Sequence, residues 1–124
     1  MKNNIRYIVV HSTKTLPEEL YISIPYHYII HRGGKIEKSK KLIASDTCVQ
    51  IAYLGGVDKD KKPKDTRTDP QNDTLFNTLI MLSEKYPEAR IVGADEVFGE
   101  TNHPGFDVKQ WLKSYTPKII KDAA

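Results

Sequence analysis

His11 closes an apolar run, Ile8-Val9-Val10, and is followed at once by Ser12 and Thr13. A strand that ends in a histidine sets an imidazole at the mouth of a sheet, where it can face a metal or a substrate. Far downstream a second histidine stands in a stiff setting, His103-Pro104-Gly105-Phe106-Asp107. A metal held by these two needs a third ligand. Asp95 and Glu96, which follow the short apolar run Ile91-Val92, are the best-placed carboxylates. His11 and His103 with one of these carboxylates would make a two-histidine, one-carboxylate set. His27 and His31 share one strand-like run at an even spacing, which puts both on the same face and suits substrate contact better than ligation. Cys48 is the single cysteine. It excludes an internal disulfide and a multi-cysteine metal cluster, and reads as a small core side chain.

These groups must be positioned by short strands and two helices. Residues 5–10 are β-branched and apolar, bounded by polar residues: a buried strand. Pro17 and Pro25 bracket residues 18–24 and leave room for a turn of helix or an irregular crossing. Residues 26–31 read as a strand, Gly33-Gly34 as a hairpin turn into residues 35–37, and residues 48–54 as another strand stopped by Gly55-Gly56. Residues 57–67 read as a long polar loop. Thr68-Asp69-Pro70-Gln71 is a helix start with a capping box, and Leu75, Leu79 and Leu82 then fall on one stripe. That helix ends near Tyr86-Pro87, and residues 90–93 read as a short strand. Asp107 caps a last helix that turns Val108, Trp111 and Leu112 inward. The expected architecture is α/β, one mixed sheet with packed helices, as a single domain over residues 1–124.

Apolar residues make up 39% and charged residues 28%, an ordinary balance for a globular chain. No stretch is long and apolar enough for a membrane span, so membrane insertion is not expected. Met1 runs quickly into the first strand without a secretory leader, which predicts a cytoplasmic location as synthesised. The net charge of +3 lies largely in the lysines of residues 35–41 and 59–64. Without interleaved aromatics these are poor evidence for nucleic acid. They fit attraction to any anionic polymer, cell wall included.

Taken in order, several segments resemble the zinc-dependent N-acetylmuramoyl-L-alanine amidases, the family of phage amidase lysozymes and peptidoglycan recognition proteins. Ile8-Val9-Val10-His11-Ser12 resembles that family's first strand with its first zinc histidine. Tyr26-His27-Tyr28-Ile29-Ile30 resembles the strand opened by its site tyrosine, and Gly33-Gly34-Lys35-Ile36 its hairpin. Residues 49–56 resemble its central strand with a double glycine, and residues 64–68, 86–93 and 104–108 complete the pattern.

The resemblance implies an endolysin-like hydrolase, phage- or prophage-derived, acting on cell-wall peptidoglycan or muropeptide. Three ligands hold a zinc with an open position, where a water attacks the amide between the lactyl group of muramic acid and the first alanine. His11 matches the first ligand, Tyr26 the tyrosine that hydrogen-bonds water or substrate, and Thr101 the position of a site lysine. The departures are specific. Ala94 stands where the family has its second histidine, and His103 replaces a cysteine or aspartate. The family's first helix is shortened or missing within residues 14–25. An ungapped alignment back from His103 puts Asp95 in the ligand register, whereas Glu96-Val97 aligns better with Ala94 in the histidine's place. Two readings follow: an amidase with a variant zinc site, or a degenerate amidase-fold protein that binds muropeptide without cutting it.

Overall fold

The apolar run before His11 forms the middle of β1 (Tyr7–Ser12) in a computed structural model that describes residues 4–17, 26–99 and 102–115. β1 is paired in parallel on both sides, with β4 (Cys48–Tyr53) and with β5 (Arg90–Gly93). Burial on both faces explains why its sequence runs apolar rather than alternating. β4 pairs in parallel with β2 (Tyr28–Ile30), which pairs antiparallel with β3 (Ile36–Lys38) through the expected hairpin. The order across the sheet is β3-β2-β4-β1-β5. β2 is shorter than residues 26–31 suggest. Its ladder with β3 has three pairs, and Tyr26 leaves the strand to lay its ring near His11.

The long helix, α1 (Asp69–Lys85), begins as its sequence predicts. Thr68 Oγ1 accepts from the Gln71 N–H, and Gln71 Oε1 accepts from the Thr68 N–H. Gln71 is fully buried, and its amide also donates to the carbonyls of Ile30 and Leu54 at 3.1 Å each. One side chain thus ties the helix start to the carboxyl ends of β2 and β4. A one-turn helix, α2 (Ala94–Val97), follows β5 directly and is too short to carry a readable periodicity. The last described helix, α3 (Val108–Ser114), is capped by Asp107, whose carboxylate accepts from the Gln110 N–H.

The two faces of β1 serve different ends. Ile8 and Val10 join Val49, Ile51, Leu75, Leu79, Leu82 and Val108 in the main core, under α1 and α3. Val9 packs on the other face with Val92 and Ala94. Of the segment expected to lack the first helix, residues 18–25 lie outside the described residues. No helix among the described residues is long and apolar enough to cross a membrane.

Candidate functional site

The parallel strands end together at His11. It is 3% exposed and registers with Ala52 on β4. The Tyr26 ring lies tilted at 4.9 Å from the imidazole, and Phe98 stacks on it at 5.7 Å. Tyr26 Oη donates to the Ser12 carbonyl at 3.3 Å, which fixes the ring over the strand end. The β1–β5 register closes with Val9↔Val92 and Val10↔Gly93. One step further along that alternation, Ala94 comes beside His11 on the same face, buried with Val9 and Val92. On this face the rings of Tyr26 and Phe98 and the methyl groups of Ala52 and Ala94 stand among the neighbours of His11.

Ser12 points to the opposite face of β1 and anchors the second histidine: its Oγ and His103 Nδ1 are hydrogen-bonded at 2.8 Å, in a buried setting. The backbone around His103 is tied down twice. Asp95 N–H donates to the His103 carbonyl at 3.0 Å, and Tyr53 Oη donates to the Pro104 carbonyl at 2.6 Å. Burial pushes the Tyr53 phenol well above its usual range, so it stays a donor. Gly56, at φ 107°, passes so close to Ser12 that a side chain there would overlap the serine hydroxyl.

Asp95 does not join His11. Its side chain is exposed and lies over Gly93, where an added Cβ would meet Asp95 Oδ1 at 2.5 Å, Pro104 Cδ at 3.3 Å and Val108 Cγ2 at 3.3 Å. Val108 belongs to the core under α3, so the Asp95 carboxylate is on the α3 side of the sheet and His11 on the other. The expected set of His11, Asp95 and His103 is therefore not assembled. Among the described residues, no three His, Cys, Asp or Glu side chains are grouped to hold a metal ion. The described residues do not fit the zinc that the family resemblance implies, because the position beside His11 carries a methyl group. Thr101, the other expected catalytic position, lies outside the described residues.

His27 and His31 are not brought to His11 as a pair. His27 is 1% exposed; its Nδ1 accepts from the Gln50 N–H at 2.9 Å, and its Nε2 lies 3.4 Å from Asp46. Burial holds its pKa below the ordinary value, with Asp46 opposing in part. His31 Nε2 meets Glu37 Oε1 at 2.8 Å on the exposed hairpin. Sequence reasoning missed Phe98 as the cover of His11 and Ser12 as the anchor of His103. Alternation carries the first signal: counted from Val92, it puts Ala94 in phase with His11 and Asp95 out of phase.

The chain is 29% identical to an endolysin of Enterobacteria phage K11 over 105 aligned residues, covering 78% of this chain and 69% of that protein. An endolysin of Escherichia phage T7 is 26% identical over 102 residues, covering 76% of this chain and 67% of its own. No protein-family model matches the chain. Among solved structures, the Ph2119 endolysin of a Thermus scotoductus MAT2119 bacteriophage superposes with a TM-score of 0.68 at 20% identity, over 91% of this chain and 86% of that one. Bumblebee PGRP-SA superposes with a TM-score of 0.58 at 17% identity, over 92% of this chain and 83% of that one. The single mixed sheet with its packed helices is the amidase/PGRP-like α/β fold.

Proposed function

We propose that this chain is a peptidoglycan-directed protein of endolysin type that recognises muropeptide at the His11 end of the sheet and does not cut it through zinc. The endolysin relatives and the phage-endolysin fold support a peptidoglycan-lytic function for the lineage, and with PGRP-SA they support a peptidoglycan partner. The observation that carries the step from lysis to recognition is Ala94: buried beside His11, it offers a methyl group where a ligand would have to stand. Recognition would fall to the strand ends. Phe98 is half-exposed with its ring stacked on His11, and an aromatic ring held this way can pack against the apolar face of a sugar. Val97 adds exposed apolar surface next to it.

A second reading is hydrolysis of the N-acetylmuramoyl-L-alanine amide. It is favoured by His11, Tyr26 and His103 standing at the same strand ends. In it Tyr26 would hydrogen-bond the substrate carbonyl or water.

Co-sedimentation with purified sacculi, run beside a turbidity assay with and without added zinc, separates the two. Recognition predicts saturable sedimentation and no clearing under either condition. Zinc-dependent clearing would replace recognition with the amidase reading, and failure to sediment would remove both.

A further inference from the structure

The end of the sheet where the parallel strands begin holds a cavity of about 750 Å³. It lies six residues back along β1 from His11, at Ile5, which at the rise of a strand is about 20 Å away. Its wall joins Asn4 and Ile5 ahead of β1, the start of β2, the end of β3 with the segment after it, and the end of α1. Beside Ile5 and Pro87, the apolar part of the lining includes Tyr28, Leu42 and Tyr86, each half-buried and packed against the main core. His27, locked by Gln50 and Asp46, supplies a rigid buried wall.

The rim is strongly basic. Lys38, Lys40, Lys41 and Lys85 line it, all exposed, against the single lining carboxylate of Glu88. Nothing in the proposed recognition at the His11 end uses these residues. Four ammonium groups around an apolar floor repel one another unless an anion is near, and they match a multiply charged group better than a single carboxylate. Lysines bind phosphate as point charges, without the fixed fork that carboxylate pairing with arginine exploits. A cavity of this size holds a small molecule with an apolar body.

We propose that this cavity is a second ligand site, taking a phosphate-bearing molecule whose apolar or ring-shaped body sits on Tyr28, Leu42 and Tyr86. The phosphate can arrive as a monoester on a free small molecule or as a unit of a phosphate-bearing wall polymer. The two sources share the same rim contacts.

Calorimetric titration of the full chain with phenyl phosphate, inorganic phosphate and phenol tests the site. Phenyl phosphate is expected to bind one per chain and more tightly than either of the other two, since only it satisfies both rim and floor. Lys40→Gln, Lys41→Gln and Lys85→Gln combined should weaken it about tenfold, whereas the same charge change in the polar loop, Lys59→Gln, Lys61→Gln and Lys62→Gln, should leave it unchanged. Sacculi carrying phosphate polymer should compete with phenyl phosphate if the polymer is the source. Sacculi stripped of it should not, and sedimentation through the His11 end should persist in the rim variant. Absence of saturable phenyl phosphate binding, or equal weakening by the two triple variants, would overturn the proposal while leaving the peptidoglycan reading untouched.

Discussion

Adjacent residues of β1 face two unlike worlds. Ile8 and Val10 look into a core closed by α1 and α3, and Ser12, last on that side, holds His103. Val9 and His11 look the other way, onto Val92, Ala94, Tyr26 and Phe98. The division continues across to β5 and α2, where Ala94 falls with His11 and Asp95 with the α3 side. Residue types that could ligate a metal are all present near the strand ends. The pleat sorts them to opposite sides, so spacing in sequence does not become a coordination sphere.

The contrast can be broken most severely from the core side. Leu79 is fully buried beneath β1, and Leu79→Ala should cost about 3 kcal/mol of unfolding free energy, read from urea midpoints. Gln71→Leu should follow at about 2 kcal/mol, because it takes the side-chain donor from the buried Leu54 carbonyl, removes the second donor to the Ile30 carbonyl, which keeps the Leu54 N–H, and breaks half of the capping box. On the His11 side the balance reverses. Phe98→Ala removes a half-exposed ring and should leave stability nearly unchanged while weakening sacculus binding about tenfold, measured by sedimentation.

The smallest effect is one of pH. Burial holds His27 below its ordinary pKa, so between that depressed value and about 6.5 the unfolded chain binds more protons than the native one. Stability contributed by neutral His27 is present above this window and lost as pH falls through it, by at most about 1.4 kcal/mol per pH unit. Asp46, held low chiefly by the Ile43 N–H, keeps its charge across the same range and reduces the loss. Urea midpoints at pH 7.5, 6.5 and 5.5 should fall in that order, and His27→Gln should flatten the trend.

Much of the fold was legible because its signals are local. The capping box at Thr68 and Gln71, the leucine stripe of α1, the double-glycine hairpin and the Asp107 cap each need only a few consecutive residues. The candidate site was legible only in part. His11 at a strand end and Tyr26 beside it followed from a short run and a resemblance, and the two rings do meet. The placement of Asp95 did not follow, since it depends on how β5 registers against β1 and on a one-turn helix without periodicity. The pairing of Ser12 with His103 spans 91 positions and has no local signature. The lysines of residues 35–41 read only as part of a weak positive bias, yet the approach of the end of α1 and the turn after it to the segment around the end of β3 makes three of them, with Lys85, the rim of a cavity.

The most direct test of the account is a zinc titration at neutral pH of the native chain beside Ala94→His. No stoichiometric zinc is expected in the native chain, and in Ala94→His, where two imidazoles would stand together without a third ligand, binding that is measurable but weaker than a three-ligand site. One tightly held zinc in the native chain, lost in His11→Ala, would contradict it.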